Sequence, residues 1–161
     1  MNFKSSLFWT TLAISAFICV AALGPALFNA NLSWGEWYAS WQRQAFSGLC
    51  HQQTDRMFLL NGMPMAVCSR CLGIYSAFFA GIVLLPFLPQ HRLRSSLIIP
   101  LLFASVVLNI VDVLTYALSV WDNTLFSRYA AGSLPGLMTA ILLGTKNPQR
   151  PFNHLHYGNS K

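Results

Sequence analysis

The chain has 161 residues, of which 55% are hydrophobic and 9% charged, with a mean hydropathy of +0.49 and a formal net charge of +6. Polar side chains are too few to cover a water-facing surface in the usual proportion, which excludes an ordinary soluble domain. The basic residues are scattered over loops and the C-terminal tail without a Lys/Arg run or a base-reading motif, so nucleic acid is excluded and the lipid bilayer is the expected partner.

The apolar residues fall into blocks of the length that ~30 Å of hydrocarbon demands, about 20 helical residues each. The expected fold is all-α, a polytopic protein with a single membrane domain over 1–161, four transmembrane helices and an interfacial amphipathic helix in the first outer loop. The first span is expected over Ser6–Phe28, interrupted only by hydroxyls and Cys19. Its apolar stretch is longer than the ~7 to 15 residues of a signal-peptide core, which favours retention over cleavage. The outer loop follows over 29–66. Within it Trp34, Trp37, Tyr38 and Trp41 recur at helical spacing, so that one aromatic face lies in the headgroup region while Glu36 and Arg43 stay wet.

The second span is expected over Val67–Leu88, the third over Ser96–Leu118 and the fourth over Ser127–Thr145, with a cytoplasmic tail over 146–161. Four spans put both termini on one side. Lys4, Arg92, Arg94, Lys146, Arg150 and Lys161 then collect on that side and only Arg43 and Arg56 on the other. The excess of basic residues places both termini in the cytoplasm of a multi-pass protein of the cell (inner) membrane.

Four residues carry the strongest chemical signal: Cys50, His51, Cys68 and Cys71. Three thiols and an imidazole make a tetrahedral donor set of the kind that closes a zinc shell at ~2.0 to 2.3 Å, with iron as the other metal for such ligands. The same atoms admit a redox reading, because a Cys-x-x-Cys pair at a helix start lowers a thiolate pKa, with Arg70 adding positive charge. They also admit a structural disulfide. Cys68, Cys71 and Tyr75 share one helical face, and Gly73, Ala77 and Gly81 form a small-residue packing row on the opposite one.

In the third span Ser105, Asn109, Asp112 and Tyr116 form a polar seam. A carboxylate in hydrocarbon costs about 2.5 to 3.5 kcal/mol, so Asp112 should face the bundle and find a cation, with Arg128 the natural partner. The fourth span carries Gly132 and Gly136 at close-packing spacing, and Pro135 frees a backbone carbonyl toward the interior. His91, His154 and His156 read as solvated loop residues.

The stretch Cys50-His51-Gln52 with Arg56, then Gly62, Pro64 and Cys68-Ser69-Arg70-Cys71-Leu72-Gly73-Ile74-Tyr75, resembles the signature of the prokaryotic membrane-protein family catalogued as domain of unknown function 2085. Asp112, followed by Arg128 and Gly132, resembles its second motif, with Val113 where that family shows glycine. The likeness covers roughly Cys50 to Gly136 and implies a site without naming an activity.

These residues converge, by the expected topology, on an outward pocket. With a fully closed metal shell the site is structural. With one position open, a bound water or substrate could be activated, Asp112 is the candidate base and Arg128 and Arg56 bind an anion, with hydrolysis of a lipid phosphate as a conceivable reaction. Two other classes stand beside this one: a membrane thiol-disulfide oxidoreductase using the Cys-x-x-Cys, and a small transporter or accessory subunit, which with so few helices would act as a homo-oligomer.

Overall fold

A computed structural model describes residues 3–24, 33–60, 62–87, 95–119 and 122–146. Five α-helices account for most of them: α1 (Phe3–Leu23), α2 (Ser33–Phe46), α3 (Ser69–Leu84), α4 (Ser95–Ala117) and α5 (Leu125–Lys146). Between α2 and α3 lie a 3-10 turn, Thr54–Arg56, and a two-stranded antiparallel hairpin, β1 (Leu59–Leu60) with β2 (Met63–Pro64), in the register Leu59↔Pro64 and Leu60↔Met63. The sequence Asn61-Gly62 joins the strands, with Gly62 at φ +79, a left-handed conformation that side chains disfavour.

Among the described residues three helices are long and apolar enough to cross a membrane: Ser6–Leu23, Ser69–Phe87 and Ser96–Ala117. This corrects the expectation of four transmembrane helices. The fourth expected span does form a helix, the 22-residue α5. However, the Gly, Ser, Thr and Pro residues that let α5 lie against α3 also dilute its hydropathy, as does Arg128. With three such helices among the described residues, an even number of crossings no longer places both termini on one side. Helix α1 runs to Leu23, and Gly24 after it adopts φ +66, a left-handed helix cap. Residues 25–28 of the first expected span, Leu88 of the second, the tail from 147 and all three loop histidines fall outside the described residues.

The tightest packing is between α3 and α5, which run parallel. A Cβ on Gly73 would strike the Tyr129 carbonyl, one on Gly132 the Arg70 carbonyl and one on Gly136 the Ile74 carbonyl. Each helix thus presents hydrogen where the other presents backbone, which is the physical content of the two small-residue rows. At the far end Ile82, Leu85 and Ala140 form a small buried cluster with Phe8, Leu12 and Phe78 around it.

Helix α4 shows the solvent it is built for. Leu97, Ile99, Phe103, Leu108, Ile110 and Leu114 are all more than half exposed, an apolar surface that suits lipid and not water. Its polar seam turns inward: Ser105 is buried, and Asn109 Nδ2 donates to the Ala131 carbonyl at 2.7 Å. That carbonyl is the one freed by Pro135, four residues on, which has no N–H to donate back. One amide therefore satisfies the acceptor that the proline exposes.

The first connection closes over the near end of the bundle. The Ala66 N–H donates to the Ala22 carbonyl in the last turn of α1 at 3.3 Å, and Ala22, Ala66 and Val67 are fully buried. Helix α2 turns Phe46 inward, with its ring centroid 6.0 Å from that of Tyr75, and leaves Trp37 and Trp41 exposed. That exposed pair agrees with an aromatic outer face.

Candidate metal centre

The segment ahead of α3 is extended, and Cys68 caps the helix at φ −68 and ψ 159, so its thiol and that of Cys71 in the first turn lie on the same side. The third thiol arrives from the loop after α2. Gln52 sits at φ 49, and its side-chain amide donates to the Arg43 carbonyl at 2.6 Å and to the Ala66 carbonyl at 3.2 Å. This strap ties the end of α2 to the approach to α3 and sets Cys50 over the helix start. The Cys68 N–H donates to Cys50 Sγ at 3.2 Å.

As a result Cys50, Cys68 and Cys71 bring their sulfur atoms within 4.8 Å of one another. None of the four cysteines is in a disulfide. Hydrogen bonds from the Cys68 and Cys71 thiols hold the Cys50 thiol well below its ordinary range, helped by the backbone N–H groups of Cys68 and Gln52 and opposed by burial. Three thiolates around one zinc at ~2.3 Å would stand ~3.8 Å apart, so the triangle is of a size to hold such an ion after small side-chain adjustments. The group is a three-cysteine cluster capable of coordinating a metal ion.

His51 does not belong to it. Cys50 is 5% exposed whereas the neighbouring imidazole is exposed, because adjacent side chains on non-helical backbone diverge and only one of the two can face the cluster. The Cys-His pairing expected from sequence is corrected accordingly. Cys19, in α1, donates instead to the Tyr75 carbonyl at 3.3 Å.

Next to the thiols in sequence stands one member of an ion pair. Arg70, between Cys68 and Cys71, is bound to Asp112 Oδ2 of α4, and the two side chains are 22% and 19% exposed. The other carboxylate oxygen accepts Asn123 Nδ2 at 2.8 Å. The expected partner, Arg128, is not the one used: its residue lies on α5 against the ring of Tyr116, with Cζ 4.4 Å from the ring centroid. Arg56 approaches the same ring, at 4.7 Å. Arg70 was legible as a positive charge beside the thiols, yet its pairing was missed because an α3–α4 contact cannot be read from spacing. Gln52 was legible as part of the motif, but its role in tying the end of α2 to the approach to α3 was not.

The family model described as "Predicted membrane protein (DUF2085)" matches residues 50–142, more than half of the chain and the whole of the thiol and ion-pair region. An uncharacterised protein of Methanocaldococcus jannaschii is 44% identical over 45 residues, covering 28% of this chain and 29% of that protein. Another, of Methanothermobacter thermautotrophicus, is 27% identical over 97 residues, covering 60% of this chain and 86% of that protein. The chain thus spans under a third of the first relative's length and most of the second's. No solved structure matches. The extent of the family match carries the conclusion: this chain belongs to the DUF2085 family of membrane proteins.

Proposed function

We propose that the protein is a multi-pass membrane protein that holds one soft or borderline transition metal, zinc first and iron second, through Cys50, Cys68 and Cys71. The observation that carries this reading is the approach of three sulfurs to within 4.8 Å with no disulfide among them. The donor chemistry fits, since thiolates select zinc and iron over the hard cations, and Cys50 is already favoured as the thiolate. Three protein ligands leave a fourth position for an exchangeable group, the arrangement of reactive rather than closed structural sites. A metal so held would act as a Lewis acid toward that group. Arg70, between two of the thiols in sequence, turns to Asp112 of α4, and Asp112, engaged on both oxygens, ties the start of α3 to α4.

The thiol-bearing end of α3 is read as outward-facing. Arg92 and Arg94 follow the other end of that helix, and basic residues next to a span favour the cytoplasm.

The test is elemental analysis of detergent-purified protein made without a His tag, together with thiol counting before and after reduction. About one zinc or iron per chain, lost in Cys68→Ser, is the expected result. No metal, with two thiols released only by reduction, would overturn the reading and favour the thiol-disulfide oxidoreductase, for which the Cys50 thiolate beside Cys68 is the supporting geometry.

A further inference from the structure

Arg128 is 6% exposed, yet among the described residues it makes no ion pair and no side-chain hydrogen bond. What it touches is the ring of Tyr116. The same ring receives Arg56, whose Nε is buried without a hydrogen-bond partner and whose ion pair, at 3.7 Å, is with the exposed carboxylate of its neighbour Asp55. The nearby Asp112 carboxylate is already shared between Arg70 and Asn123.

Two guanidinium groups thus meet on one aromatic ring at the near end of the helices without a buried counter-charge of their own. A cation–π contact is weaker than the hydration that a guanidinium gives up on burial, so the ring alone does not balance the arrangement. Stacking a guanidinium face on a ring leaves its N–H edge free, and that edge is matched to the oxygens of a phosphate. Two residues along the chain from Tyr116 and from Arg128, Leu118 is 72% and Phe126 76% exposed, so the same end of the helices also carries apolar surface.

We propose that Arg128 and Arg56, held by Tyr116, form a phosphate-binding site at the thiol-bearing end of the helices, and that its source of phosphate is the headgroup of an anionic phospholipid. The cations take the phosphate and the apolar flank takes the first part of the acyl chains. This site is separate from the thiol cluster, and its test does not depend on metal.

Native mass spectrometry of the full chain, released from detergent and titrated with phosphatidylglycerol, counts bound lipid directly. One lipid is expected to bind wild type at least tenfold more tightly than Arg128→Gln or Arg56→Gln, with Arg43→Gln, an exposed arginine elsewhere, equal to wild type. Arg128→Lys should fall between, since it keeps the charge and loses the two-pronged geometry. Displacement of the lipid by millimolar inorganic phosphate would assign recognition to the phosphate itself. Saturation by inorganic phosphate with no tighter binding of lipid would overturn the lipid assignment. Should Arg128→Gln fail to fold, the partly exposed Arg56 decides: lipid binding by Arg56→Gln equal to wild type overturns the site.

Discussion

Arg70 of α3 is bound to Asp112 of α4, and through this pair the residue between two cysteines is tied to a second membrane-spanning helix. Removing one member leaves a charge in a partly buried place, which costs about 3 kcal/mol or more, whereas replacing both by apolar residues of similar size costs far less. Arg70→Met and Asp112→Leu should each lower the thermal midpoint in detergent, and the double variant should recover most of the loss. Equal additive losses would mean that the two side chains act independently.

The thiol cluster makes a selective demand on metal content. Cys50→Ser, Cys68→Ser and Cys71→Ser are each expected to lower bound metal at least tenfold, and His51→Ala to leave it unchanged. Plasma emission spectroscopy of the five proteins, wild type included, reads this directly. Loss of metal in His51→Ala would show that the imidazole turns toward the sulfurs when an ion is present.

Asn109 and Pro135 form a testable pair across α4 and α5. Asn109→Leu leaves the Ala131 carbonyl unpaired at a cost of about 1 to 3 kcal/mol. In a Pro135→Ala background the residue at 135 regains an N–H for that carbonyl, so the same Asn109→Leu change should then cost markedly less. Chemical unfolding of the four proteins closes the cycle, and an unchanged cost would dissociate the amide from the proline.

Close approach of backbones predicts a sharp contrast among glycines. Gly132→Ala and Gly136→Ala push a methyl group into the carbonyls of Arg70 and Ile74, and each should destabilise by about 1 to 3 kcal/mol. Gly48→Ala, with nothing within 4 Å of the added carbon, should change stability little. Gly62→Ala also meets open space but must adopt φ +79, so its cost of about 1 kcal/mol is conformational. Thermal midpoints in one detergent rank all four.

Hydropathy and periodicity, both local quantities, made much of this arrangement legible. A helix does run over the third apolar block, as α4, and the rows containing Gly73 and Gly132 were identified as packing surfaces before their partner was known. Pro135 was legible as a source of a free carbonyl, while the residue that would take it was not, because Asn109 lies on another helix. The fourth span failed for a related reason: length and small residues resemble a membrane helix, but small residues contribute little hydropathy. The hairpin at Asn61-Gly62 had a direct signal that the pattern of long apolar blocks obscured. Cys50 and His51 could not be separated by spacing alone, since the choice between adjacent residues depends on backbone direction.

The two sides of the thiol triangle are unequally mounted. Cys68 and Cys71 ride on a helix whose carbonyls touch the glycines of α5, whereas Cys50 hangs on a loop anchored by the Gln52 amide. An occupant therefore has one hard wall and one hinged wall. Loosening the Gln52 strap would then free the Cys50 side alone, while loosening the helix pair would move the two other sulfurs together.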